Sequence, residues 1–279
     1  MGLKRKIRLL LDPEKRLLSY YEHRRRVCNQ RRSFPLDADA LLRDIDPEKL
    51  EAIRSRHAIP NPGVRIEKYL EMEKWLATNV RRVLNLGLDF KPGKRILDLG
   101  AGAGYFLHIC KRLGHDVLGL DMHDPGAAWY GEMLELLGVP RVLWRIDPFV
   151  PLPNLGPRFD YVCAFMVCFN RHVYEDAWKI DQWRFFLDDL RTHLKPRAIV
   201  WFELNPGLDG AHYSPELRDF FKSRGAIVDG KRLVWGLDET RYRVLLRLGK
   251  VETAAIRKAS IAPQPGNAAV SAPSRHAQS

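Results

Sequence analysis

The 279-residue chain carries 46 Lys/Arg against 34 Asp/Glu, a formal net charge of +12, and 46% hydrophobic residues. That length accommodates one α/β domain with appendages, and that apolar content supports a packed core. Four cysteines form no CxxC pair and no run nears the ~18 apolar residues of a membrane span, so a soluble, cytoplasmic protein is expected rather than a disulfide scaffold or transmembrane protein.

The charge is uneven. Residues 1–32 hold eleven Lys/Arg and three Asp/Glu, whereas residues 33–250 hold thirty-two and thirty. Asp12-Pro13-Glu14 is a helix start, with a capping carboxylate, proline at the first position and an early acid, so one or two short helices are expected between Gly2 and Tyr21. The runs Arg24-Arg25-Arg26 and Arg31-Arg32 follow. Three readings compete: a solvated basic extension docking a few apolar residues on the body, which is favoured; an interfacial segment giving peripheral membrane contact through residues 1–32; or contact with nucleic acid phosphates. Leu9–Leu11 is too short for a signal peptide, and Lys6 stands where a myristoylation motif wants Ser or Thr.

Asp46-Pro47-Glu48 starts another helix, running to about Arg56, and Pro60-Asn61-Pro62-Gly63 breaks the chain. A longer helix is expected from Arg65 to Leu86, with Tyr69, Leu76, Val80 and Val83 on its apolar face. Then comes the stretch that organises the rest. Ile96–Leu99 is a short apolar strand, Gly100-Ala101-Gly102-Ala103-Gly104 a turn, and Tyr105 to Leu113 a helix stopped by Gly114. Val117 to Leu120 is a second strand, ending on Asp121. Such a βαβ unit presents its turn and its final acid to one crevice at the carboxyl ends of parallel strands. A dinucleotide fingerprint would need a small residue at 105, where this chain has tyrosine.

The pattern Asp98-x-Gly100-x-Gly102-x-Gly104 with Asp121 downstream resembles the cofactor motif of class I S-adenosylmethionine-dependent methyltransferases. The resemblance covers about residues 64–250. It implies a Rossmann-like α/β fold, a mostly parallel seven-stranded sheet with the last strand antiparallel. It also implies S-adenosylmethionine held by Asp98, Gly100, Ala101, Gly102 and Gly104. Asp121 would take the ribose, Met122 the adenine face, Asp147 the adenine amino group, and Tyr69 would reach the cleft from the preceding helix. Asp147 is equally well read as a turn residue before Pro148.

The remaining elements fit that expectation. Ala127–Leu137 is a helix, Val142–Ile146 a third strand and Phe159–Met166 a fourth, while Asp181–Leu194 is an amphipathic helix. Ala198–Leu204 is a fifth strand, a capped helix starts at Ser214-Pro215, and Ala226–Val228, Leu233–Trp235 and Tyr242–Leu248 read as strands. The organisation expected is a basic helical extension over 1–63, a catalytic domain over 64–250 and a disordered tail over 251–279.

Methyl transfer needs positioning and a dry cleft, plus a general base if the nucleophile arrives protonated. His172, beyond the fourth strand, is the preferred base, with Asn170 and Arg171 to orient an acceptor; Glu203, Asn205, His212 and Tyr213 form a second set. No base- or amide-methylating Asn/Asp-Pro-Pro-aromatic motif is present, no Pro-Cys nucleophile, and no metal is expected. The acceptor expected is a small molecule, a glycan or a lipid-linked intermediate. The alternatives are an RNA- or ribosome-associated methyltransferase, though nucleic acid is the less favoured partner, and a cofactor-binding protein without turnover.

Overall fold

A computed structural model describes residues 12–57, 71–122, 128–167, 169–170, 177–207 and 209–261. Helix α1 spans Pro13–Arg31, its first turn capped by Asp12 through the amides of Glu14 and Lys15. Helices α2 (Ala38–Arg43) and α3 (Pro47–His57) follow, capped by Asp37 and Asp46 in the same way. Helix α4 runs Met72–Leu86 and stops at Gly87 in the left-handed region, φ 64°. The part of the expected helix before Glu71 lies outside the described residues.

Seven strands then form one sheet: β1 Arg95–Leu99, β2 Asp116–Asp121, β3 Arg141–Leu143, β4 Phe159–Val167, β5 Leu194–Leu204, β6 Ile227–Asp229 and β7 Arg232–Trp235. Their order is β3-β2-β1-β4-β5-β7-β6, and only β7 runs against its neighbours. This is the sheet that the sequence led us to expect. Between the strands lie α5 (Tyr105–Arg112), α6 (Trp129–Leu136), α7 (Ile180–Thr192) and α8 (Pro215–Ser223). The final helix, α9, covers Glu239–Ile261.

Alternation along the central strands builds two apolar layers. Ile96, Tyr161, Cys163, Ile199 and Trp201 face the layer shared with α4 and α5. Leu97, Val162, Ala164, Val200 and Phe202 face the other, where α7 supplies Trp183, Phe186 and Leu190. Truncating a fully buried ring such as Trp201 or Trp183 to alanine costs about 3–5 kcal/mol.

Four expectations are corrected. The segment Tyr242–Leu248 is helix, not strand: Tyr242, Leu245 and Leu248 are buried at i, i+3 and i+6 while Arg243 and Arg247 are exposed. This helix runs on to Ile261, past the start of the expected tail. It crosses α4 closely at Gly249, where a Cβ would lie 2.1 Å from the Asn85 Oδ1. Strand β5 begins at Leu194, earlier than expected, because a bulge opposite β4 absorbs Pro196 and Arg197, the latter at φ 65°. Strand β3 is shorter, ending at Leu143.

Helix α1 docks on the body and holds part of the N-terminal charge inside the fold. Tyr21 packs with Phe90, Val244, Leu245 and Leu248. Arg25, in the middle of the arginine run, is 4% exposed and forks onto Asp89 at 2.5 and 3.0 Å while also donating to the Leu84 carbonyl. Arg32 donates to the Asp89 carbonyl. A buried guanidinium needs a carboxylate in bonding geometry to offset its desolvation, and Asp89 provides it.

Candidate active site

The crevice forms where β1 and β2 end side by side, Asp98 level with Gly119 and Leu99 with Leu120. The glycine turn leaves β1 and starts α5. Gly100 donates to the Leu120 carbonyl at 2.7 Å, and Gly104 closes the turn onto Ala101 at 2.9 Å. The glycines play different parts. A Cβ on Gly100 would meet nothing within 4 Å, so the backbone there stands open to an approaching molecule. A Cβ on Gly104 would lie 2.4 Å from the Leu134 Cδ2, so that position serves the packing of α5 against α6.

Asp121 fastens the turn to β2. One carboxylate oxygen accepts the Gly102 amide at 2.7 Å and the other the Met122 amide at 2.9 Å. A carboxylate is acceptor-only, the chemistry that suits a pair of vicinal hydroxyls. Asp98 is 4% exposed and its Oδ1 has no hydrogen-bond partner among the described residues. Burial pushes its carboxyl well above the usual range, against the pull of the Arg82 guanidinium and with a further push from Asp121.

Arg82 comes from α4 and was not singled out in the sequence. It lies 4.2 Å over the Phe165 ring, donates to Asn79 Oδ1 at 2.8 Å and stands 3.9 Å from Glu203. Trp75 and Asn79 from the same helix, Tyr130 from α6, Trp144 and Ile146 join it around a cavity of about 470 Å³. That volume is within the ~300–1,000 Å³ of small-molecule sites. Asp98, Gly100, Ala101, Gly102, Asp121 and Met122 line it as well, so the structure brings these six expected residues together.

Other expected residues stand elsewhere. Gly104 is one packing layer behind the cavity. Asp147 is not in the lining; its carboxylate takes the Arg145 guanidinium at 2.7 Å. Tyr69, Arg171 and His172 lie outside the described residues. Asn170 lines a second, wider cavity of about 920 Å³, walled by Trp178, Asp181, His212 and Tyr213. Asn205 borders both cavities, and its side-chain amide donates to the Met166 carbonyl at 3.0 Å. Met166 sits at φ 60°, unusual for a residue with a side chain, at the irregular end of β4. Glu203 is not at either cavity. Burial would raise its pKa, yet it is lowered by Lys231 at 2.8 Å, Arg82 and Arg232.

A family model described as a methyltransferase domain matches residues 70–221, more than half of the chain. The chain belongs to the methyltransferase-domain family. No curated protein sequence matches this methyltransferase. Among solved structures it is similar to a ribosomal protein L11 methylase from Lactobacillus delbrueckii subsp. bulgaricus, with 16% identity, 56% of this chain and 76% of that one covered, and a TM-score of 0.39. It is also similar to a precorrin-6y C5,15-methyltransferase from Geobacter metallireducens (17%, 54% and 72%, TM-score 0.38). A third is CalS10, an amino pentose methyltransferase from Micromonospora echinaspora (22%, 50% and 51%, TM-score 0.35).

The cofactor of this methyltransferase is S-adenosylmethionine. The residues present fit it. The orphaned Asp98 Oδ1 suits the methionine ammonium, Arg82 its carboxylate, and Asp121 the ribose diol. Met122, Trp144 and Ile146 offer an apolar wall for the adenine. Sequence reasoning missed Arg82, Asn79 and Trp75 because polar residues on one stripe of a helix before β1 read as a solvent face. The signal that could have found them is the pairing of Asn79 with Arg82 at i, i+3 beside an apolar stripe that already accounts for the buried side.

Proposed function

We propose that this methyltransferase acts on a small molecule, a glycan or a lipid-linked intermediate that enters the wider cavity beside the cofactor site. The observation that carries the reading is the junction at Asn205: the two cavities share this residue, so an acceptor in the larger one reaches the cofactor across it. A concave site of about 920 Å³ suits a compact acceptor better than a broad macromolecular face.

S-adenosylmethionine supplies an electrophilic methyl group when bound. The chain's residues do the rest. Asp98, Arg82 and Asp121 fix the two ends of the donor, and the apolar wall excludes water from the displacement. Asn205 holds the end of β4 in its bent form through the Met166 carbonyl, keeping the passage between cavities shaped. A protonated acceptor must lose a proton as the new bond forms. His212 borders the acceptor cavity, and its Nδ1 is buried without a partner among the described residues, so it joins His172 as a candidate base.

The test is a screen of hydroxyl- and amine-bearing small molecules, sugars and polyprenyl-linked sugars, read as S-adenosylhomocysteine formed. Turnover with one of these, lost in His212→Gln or His172→Ala while cofactor binding persists, supports the reading and identifies the base. Turnover confined to RNA or protein substrates would sink it.

A further inference from the structure

The net charge of this protein is not a property of its catalytic body. Residues 32–238 carry twenty-nine basic and twenty-nine acidic side chains, an even balance. Residues 1–31 carry ten basic and three acidic, and residues 239–261 six and two, so these two stretches hold +11 of the +12. The two stretches are 208 positions apart in sequence at their nearest, and the fold lays α1 of the first beside α9 of the second. Helices α1 and α9 pack side by side through Tyr21, Val244, Leu245 and Leu248. They run in the same direction: Arg241 acts electrostatically on Tyr21 near one end, and Asn29 bonds Glu252 near the other.

Arg25 is spent internally on Asp89, so the surface charge comes from other positions. Arg16, Arg26 and Arg31 of α1 and Arg243, Arg247 and Lys250 of α9 are exposed, and none has an ion-pair partner among the described residues. Two helices that meet only in the folded protein thus carry six exposed basic side chains between them, beside a body of balanced charge.

We propose that the α1–α9 face docks on an anionic lipid bilayer. Apolar residues interleaved with the charge favour lipid over nucleic acid. Tyr20 is 53% exposed on α1 and Val251 62% exposed on α9. Residues 3–11, leading into α1, read Leu-Lys-Arg-Lys-Ile-Arg-Leu-Leu-Leu, five apolar and four basic with no acid. Leucines gain nothing against a phosphate backbone, whereas basic residues set among leucines and tyrosines suit a headgroup boundary. No helix among the described residues is long and apolar enough to cross a membrane, and the contact proposed is a surface one.

The experiment is co-sedimentation of the full chain with vesicles of phosphatidylcholine alone or mixed with phosphatidylglycerol, at low and high salt. Binding to the mixed vesicles alone, weakened by salt, is expected. The triple variant Arg243→Glu, Arg247→Glu, Lys250→Glu tests the folded face rather than the N-terminal segment. Its partitioning should fall about fivefold per basic residue removed, near a hundredfold in all, from ~1 kcal/mol for each. Thermal midpoint and S-adenosylmethionine affinity should stay as in the parent. No binding to mixed vesicles, undiminished binding of the triple variant, or displacement from vesicles by RNA at lower concentration than by soluble phosphatidylglycerol headgroup would each overturn the proposal.

Discussion

Two glycines of the same turn should fail in different ways when given a methyl group. Gly100 and Gly104 both lie in the left-handed region, at φ 74° and 77°, so alanine at either costs about 1–2 kcal/mol in backbone strain. The added carbon then meets opposite surroundings. At Gly104 it would come within 2.4 Å of Leu134, which is 2% exposed and cannot swing into solvent, adding an overpacking cost of about 1–3 kcal/mol. At Gly100, which lines the cavity, it meets nothing within 4 Å. Gly104→Ala should therefore lose about 2–5 kcal/mol of stability, and Gly100→Ala no more than about 2. At ~2–4 °C per kcal/mol the two thermal midpoints separate clearly. Calorimetric titration should give the reverse order for S-adenosylmethionine, Gly100→Ala losing at least about tenfold in affinity (~1.4 kcal/mol). Equal stability losses together with full affinity in Gly100→Ala would refute this division of roles.

Arg25→Ala strands Asp89 in the core and should cost about 3–5 kcal/mol by denaturant unfolding, far more than Arg26→Ala one position on, which is exposed. Lys91 gives a pH signature. Burial lowers its pKa from 10.5 to about 8, so the folded protein holds that proton less tightly than the unfolded chain. The penalty for the charged amine is complete below about pH 8 and is relieved as pH rises towards 10.5, at up to ~1.4 kcal/mol per unit. Lys91→Met should be more stable than the parent at neutral pH, with the gain fading across that window in pH-dependent unfolding. Asn205→Ala removes the bond to the Met166 carbonyl, and should lower turnover with the cognate acceptor more than it lowers cofactor affinity.

The parts of the site legible in sequence were those built by neighbours in the chain. Asp98, the glycines and Asp121 sit within one βαβ unit, where backbone requirements leave a readable spacing. Asp147 was placed by analogy, and its carboxylate is taken up by Arg145, two residues before it. Arg82 reaches the crevice from α4, over the Phe165 ring of β4, a tertiary relation that no local pattern encodes. Arg25 shows the same limit in reverse, since three consecutive arginines look equally solvated until a partner appears 64 positions away. At Tyr242–Leu248 the apolar density suggested a strand, while the burial of Tyr242, Leu245 and Leu248 between exposed arginines follows a helix.

The central claim is that the crevice at the ends of β1 and β2 binds S-adenosylmethionine through Asp121. Isothermal titration of the parent and Asp121→Ala tests it directly, with thermal unfolding run alongside to show that both are folded. The account predicts saturable binding by the parent and a loss in Asp121→Ala of about 1.5–3 kcal/mol, tenfold to more than a hundredfold. Equal affinities in two folded proteins would contradict it.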